Sequence, residues 1–575
     1  MGRRRIFLKT RKWAIYTEVA MTGENMTQVK ATVGHFAKAD QARFHKRHRF
    51  TAFIVAAMLA LALASHVSAG DDSPLDTPDG SFGQAVMQPP LITQVAYAKA
   101  SNTGEDHFFG FSTAASCNTA VIGAIGESSA ATGIDGNQDD DSANASGAVY
   151  VLAPGQDGNW EQQAYVKASN TSEGYLFGWS VAISGDTLVV GSMLEPSAAT
   201  GIDGDQDNTD APGAGAVYVF VRDEQNNWSQ QAYIKASNTR PSSIFGASVA
   251  ISGDTLIVGA PTENSDATGV DGDQHNDDAP SAGAAYVFVR DGAGIWSQQA
   301  YLKASNTAKE QFFGTRVAVS GETVAVSAPS ESSAATGIDG DQENTDAPEA
   351  GAVYVFTRDT GGSWSQQAYI KASNTGQEHF FGGGLALDGD TLAVGAGGES
   401  SAATGIGGDQ DNTDAPNAGA AYIFARDGAG QWSQQAYIKA SNTDQDQGFG
   451  SSISFRGERL LVGAVGESSS ATGINGDQGN TDAPGAGAAY LFARASSGEW
   501  SQQAYIKASN TREYNIFGQS LALSDQILVV GALGEDSSAT GIDGNQDQDT
   551  DPAPDSGAAY IFASEQVFRD RFQQP

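Results

Sequence analysis

Between residues 195 and 215 the chain reads EPSAATGIDGDQDNTDAPGAG, with Asp203, Asp205, Asp207 and Asp210 at alternate or near-alternate positions around Gly204. Oxygen-rich runs of this kind suit a hard divalent cation. Calcium takes about 6–8 oxygen ligands at ~2.3–2.6 Å, and a D-x-D-x-D run supplies several from one loop. Sister loops carry Asp135, Asn137 and Asp139; Asp339, Asp341 and Glu343; and Asp543, Asn545 and Asp547. These four loops are the expected Ca2+ sites. Three further copies depart, with His275, Gly407 and Gly479 among the ligand positions. No copy has the EF-hand form, which needs Gly at its sixth and Glu at its twelfth position. Asp, Asn and Gly also build solvated Asx turns, so the loops read equally as acidic surface turns.

A second set of candidates lies ahead of seven Phe-Gly pairs, in segments such as GEDHF, SEGYL, RPSSI, AKEQF and REYNI. Their chemistry changes from copy to copy while the surrounding sequence repeats. His107, Tyr175, Arg240, Lys309, His379, Arg512 and Tyr514 are therefore the expected ligand contacts, because binding residues concentrate on loops held by a rigid scaffold. Catalytic signatures are missing: there is no GxSxG, HExxH, phosphate-binding loop or dinucleotide fingerprint. His107 and His379 fall four repeats apart, too far round the molecule to form a dyad.

What positions these residues is a repeat. The triplet SNT begins at Ser101, Ser169, Ser237, Ser305, Ser373, Ser441 and Ser509, a period of 68 residues. Such a period marks supersecondary units that need neighbours to bury their apolar faces. In the second unit SVAIS (180–184), TLVVG (187–191), AVYVFVR (216–222) and WSQQAYIKAS (228–237) have the alternation of strands, the first two joined by the tight Gly185-Asp186 turn. No segment holds a 3.6-residue apolar period. The seventh unit lacks its fourth strand, but ITQVAYAKAS (92–101) carries that register at the other end of the array. The expected fold is all-β: a seven-bladed β-propeller of four-stranded blades, closed by an N-terminal strand in the last blade.

The Phe-Gly pairs at Phe109, Phe177, Phe245, Phe313, Phe381, Phe449 and Phe517, with second strands ending in Gly-Ala or Gly259-Ala260-Pro261, resemble the FG-GAP repeat of integrin α-subunit propellers and bacterial secreted proteins. The resemblance spans 91–563 and implies an extracellular binding or adhesion role, often with calcium in a loop between the first two strands. Here that connection is a two-residue turn, so the family's calcium site does not carry over.

The recurring lysines (Lys99, Lys167, Lys235, Lys303, Lys371, Lys439, Lys507) should approach the acidic loops as surface ion pairs worth ~0–1 kcal/mol each. Trp160, Trp228, Trp296, Trp364, Trp432 and Trp500 open the fourth strands, a place suited to packing between blades rather than to sugar stacking. Cys117, the sole cysteine, stands where other units have a turn glycine.

Residues 1–69 hold 12 Lys and Arg against 3 acids, which leaves 20 basic against 65 acidic side chains in the remainder. A field of that sign repels nucleic acid and anionic lipid. The basic cluster at 43–49 precedes an apolar run at 51–69 ending Val67-Ser68-Ala69, the form of a secretion signal cut before Gly70. A polar leader (70–90), the array (91–563) and a short tail (564–575) follow, with no integral membrane span once the signal is removed. The sequence thus points to a secreted, cell-surface or periplasmic binding module for an extracellular protein or glycan. A polysaccharide-degrading propeller enzyme and a structural envelope protein are the alternatives.

Overall fold

The computed structural model describes residues 92–547 and 552–564, together with three short antiparallel strands near the N-terminus, Arg5–Lys9, Ala14–Glu18 and Lys30–Thr32. The apolar run at 51–69, the leader and the tail beyond Ser564 lie outside the described residues.

Seven four-stranded antiparallel sheets form the repeat region. Blade two shows the plan: Phe177–Ser184, Thr187–Ser192, Ala216–Arg222 and Trp228–Ile234, hydrogen-bonded in that order. The first strands of successive blades pack against one another around the ring, including the seventh against the first. They are therefore the innermost strands of a propeller. Blade seven takes Phe517–Leu523, Ile527–Ala532 and Ala558–Ser564 from the C-terminal end and Ile92–Ala98 from the N-terminal end. Tyr560 pairs with Tyr97 and Ser564 with Ile92, the register that Tyr218–Tyr233 and Arg222–Trp228 hold in blade two. The ring is closed as the sequence indicates.

Two strand limits differ from the sequence reading. The first strand begins at the Phe-Gly pair itself, and the fourth ends at Ile234 because Lys235 turns away to a buried partner. The pair has a steric logic. Phe177 is fully buried against Tyr218, with ring centroids 5.3 Å apart at 72°. Gly246 has φ +88°, and a Cβ there would lie 2.6 Å from the Ala216 carbonyl oxygen of the preceding blade. Only glycine admits that approach.

Each fourth strand carries a bulge, in blade two at Gln231 between the residues paired to Val219 and Phe220. The bulge frees the Gln231 side chain, whose Oε1 accepts Trp296 Nε1–H of the next blade at 2.9 Å. Arg290 lies over the Trp296 ring at 5.2 Å and is itself paired with Asp254 at 2.7 Å. Five of the repeated tryptophans are at least nine-tenths buried, which bears out packing as their role.

Candidate functional site

The connections from second to third strand and from fourth strand to the next blade emerge at the same end of the ring. Under this end lies a set of charges that the sequence reading places at the surface and the structure places inside. Lys99, Lys167, Lys235, Lys303, Lys371, Lys439 and Lys507 are buried, and each meets a buried glutamate: Glu535, Glu127, Glu195, Glu263, Glu331, Glu399 and Glu467, at 2.6–2.9 Å. Burial pulls every lysine pKa down, and the facing carboxylate opposes that pull. The expectation of surface pairs is corrected, because the lysine leaves its strand end pointing inward under the loop. The missed partners had a signal: an acid recurs at the same register seven times, and six of the seven lie 40 residues ahead of their lysine.

At each pair an asparagine adds a hydrogen bond to the glutamate. Asn238 donates Nδ2–H to Glu263 at 3.0 Å, while its Oδ1 accepts the Tyr286 hydroxyl at 2.5 Å. The Tyr301 hydroxyl meets Ser265 Oγ at 2.7 Å. Every residue of the SNT triplet is thereby accounted for: Ser169 Oγ–H bonds Gln206 Oε1 at 2.7 Å, Asn170 serves the network, and Thr171 Oγ1–H bonds the Ala168 carbonyl at 2.8 Å. The triplet locks the chain leaving one blade onto the loop of the next. Charges so enclosed persist only when paired and fully hydrogen-bonded.

The acidic loops show a division of labour. The leading residue has left-handed backbone, as at Asp203 (φ 53°), and Asp203 Oδ1 accepts the Tyr233 N–H at 2.9 Å while its own N–H bonds the Tyr233 carbonyl at 2.8 Å. Asp135, Asp339 and Asp543 make the same side-chain bond to Tyr165, Tyr369 and Tyr97 at 2.8, 2.9 and 2.8 Å. The second residue forms an Asx turn: Asn137 to Asp139 N–H, Asp205 to Asp207, Asp341 to Glu343 and Asn545 to Asp547, at 3.0–3.2 Å. Asp210 donates its N–H to Asn208 Oδ1 at 3.3 Å. Among the described residues no three His, Cys, Asp or Glu side chains converge in metal-ligating geometry. As placed, these residues do not fit a calcium cage.

The candidate ligand contacts divide by burial. Lys309 and Tyr514 are exposed; Tyr175, Arg240 and Arg512 are partly so. Arg240 is ion-paired with Asp277 of the neighbouring acidic loop. His107 is buried and His379 half-buried, each with Nδ1 lacking a hydrogen-bond partner among the described residues. Burial holds both imidazoles below their usual pKa, against the pull of Glu127 and Glu399. These two side chains turn inward, so the variable segments offer fewer free contacts than their sequence suggests.

A family model described as "FG-GAP repeat" matches residues 160–220, 228–288, 296–356, 364–424, 432–492 and 500–562. The chain belongs to the FG-GAP repeat family. Each match opens on a fourth-strand tryptophan and runs into the third strand of the following blade, so this FG-GAP unit is offset from the blade and straddles the seam that SNT locks. No curated relative matches the chain. Among the described residues no helix is long and apolar enough to cross a membrane.

Proposed function

We propose that this FG-GAP propeller is an exported binding or adhesion module, secreted or held at the cell surface, which meets an extracellular protein or glycan with the variable segments at one end of its ring. The observation that supports this is the contrast between scaffold and rim. The same buried lysine–glutamate network recurs in all seven blades, whereas the residues between SNT and the next Phe-Gly pair differ in each and leave Lys309 and Tyr514 exposed. A rigid body with unlike loops on one face is suited to recognition.

Calcium enters this reading as a loosely held counter-ion of the exposed carboxylates around Asp205, Asp207 and Asp210, not as a caged ligand. The test is an array of glycans and matrix proteins probed with the chain from Gly70 onward, with calcium and with chelator. Saturable retention without product formation supports a binding module. Depolymerisation of an arrayed polysaccharide would favour the enzyme alternative, and no retention at all would favour a structural envelope role.

A further inference from the structure

Two neighbouring seams of the ring, from blade four to five and from five to six, lack a contact that the other five share. Two residues after the Phe-Gly glycine, five blades have a serine whose Oγ–H bonds the corresponding glycine carbonyl of the next blade: Ser112 to Gly178, Ser180 to Gly246, Ser248 to Gly314, Ser452 to Gly518 and Ser520 to Gly110, at 2.5–2.8 Å. Blade four has Arg316 at that position, and blade five answers it with a glycine run, Gly382-Gly383-Gly384.

A third departure explains how the seam opens. The second strand of blade four has Ser327 where other blades have glycine. A Cβ at the equivalent Gly191 would lie 2.1 Å from the Gly246 carbonyl oxygen and 2.3 Å from Ser180 Oγ. The serine hydrogen bond between blades and a side chain at that point therefore exclude each other. In blade four Ser327 Oγ accepts the Arg316 N–H at 3.1 Å, and the Arg316 side chain reaches across to donate Nε–H to the Gly383 carbonyl at 3.1 Å.

The guanidinium that results is unusual in this acidic chain. Nη1 and Nη2 have no hydrogen-bond or carboxylate partner among the described residues, and Arg316 is exposed just ahead of the innermost strand Val317–Ser320. Val317, Ala318 and Val319, which follow it, are buried, so Arg316 meets solvent where that innermost strand begins, at the mouth of the ring. Enclosure by the surrounding protein lowers its pKa, the effect of desolvation without a compensating anion. Filling a gap beside glycines would need no charge.

We infer that Arg316 marks an anion site at the mouth of the ring, which takes the carboxylate of a small ligand end-on through Nη1 and Nη2 while Nε stays on the Gly383 carbonyl. The planar fork matches two carboxylate oxygens. The chain's acidic excess disfavours polyanions, which leaves a ligand of low charge. Arg316 follows the variable segment of blade four by four residues, but a site for a small anion works whether or not that segment meets a macromolecule, so it does not depend on the binding reading above.

Isothermal titration of the protein with sodium acetate, sodium glucuronate and neutral glucose tests this. Both carboxylates should bind saturably and glucose should not. Glucuronate equal to acetate identifies a site for the carboxylate alone, and glucuronate tighter by about tenfold identifies an acidic sugar. Arg316→Ser, which restores the residue of five other blades, and Arg316→Gln, which keeps most of the side-chain volume, should each weaken binding by at least about tenfold. Absence of carboxylate binding by the unaltered protein, or equal binding by a folded variant, would overturn the assignment.

Discussion

Lys99 Nζ lies 2.6 Å from Glu535 Oε2, across 436 residues of sequence, and it also donates to Ser556 Oγ at 2.7 Å. This buried pair joins the N-terminal strand to blade seven, so the network that elsewhere stiffens one blade here closes the ring. Asp543 Oδ1 and Ser537 Oγ, bonded to the Tyr97 N–H and hydroxyl, hold the same strand.

Lys99→Met should leave the Glu535 carboxylate buried without its cation, a change that costs about 3–5 kcal/mol. Lys303→Met should cost a similar amount in blade three. The two differ in consequence: amide exchange across 92–98 should rise sharply only for Lys99→Met. Equal protection of that strand in both variants would mean that the pair does not close the ring.

Cys117 has φ 51°, next to Gly185 at 56° and Gly253 at 56° in the equivalent turns. A side chain in this conformation costs about 1 kcal/mol relative to glycine. Cys117→Gly should raise the melting temperature, and a lower one would show that the thiol contributes something the turn geometry does not.

The imidazole of His107 is held below its usual pKa by burial, and its unfolded reference is about 6.5. A depressed pKa favours the neutral ring in the folded state, so its stabilising contribution is present above about pH 6.5 and is lost as pH falls towards the folded pKa. His107→Gln should flatten this acid loss between about pH 7 and 5. Gln311 shows that glutamine fits the position: its Oε1 accepts the Ala308 N–H at 2.9 Å and its Nε2 donates to the Asn306 carbonyl at 3.1 Å. An unchanged pH profile in differential scanning calorimetry would locate the acid sensitivity elsewhere.

Blade five supplies a test of the acidic loops. Gly407 stands at the leading position with φ 66° and keeps the backbone bond to the Tyr437 carbonyl at 2.9 Å, but has no side chain to accept the Tyr437 N–H. Gly407→Asp should add that bond, worth about 0.5–1.5 kcal/mol, and because aspartate or asparagine already holds this left-handed backbone in the six sister loops, a small net gain in stability should remain. The gain should persist in chelator. A gain seen only with calcium would make the leading aspartates metal ligands first and backbone clasps second.

The fold was legible because its evidence is periodic. Seven SNT triplets, four alternating segments per unit and the displaced ITQVAYAKAS define blade count, strand order and closure, and the paired register of Tyr97 with Tyr560 agrees with them. The site was less legible. Glu127 and its six counterparts read as loop acids among 65, since composition hides which carboxylate is buried; recurrence at the register of the lysines was the available signal. Asp203 and Asp205 have the spacing of a cation loop, yet what distinguishes a ligand from a turn is where each oxygen points, and that depends on the Tyr233 N–H of a strand 30 residues away. The inward turn of His107 likewise depends on packing that spacing does not encode.

The central claim is that a rigid FG-GAP ring presents its unlike segments to an extracellular ligand. It is tested most directly by titrating the strongest partner from the glycan and matrix-protein array against the unaltered chain and against Lys309→Ala/Tyr514→Ala, two exposed side chains outside the buried network. The expected result is an unchanged melting temperature with affinity reduced by about tenfold or more. Full affinity in the double variant, or retention of no partner by the unaltered protein, would contradict it.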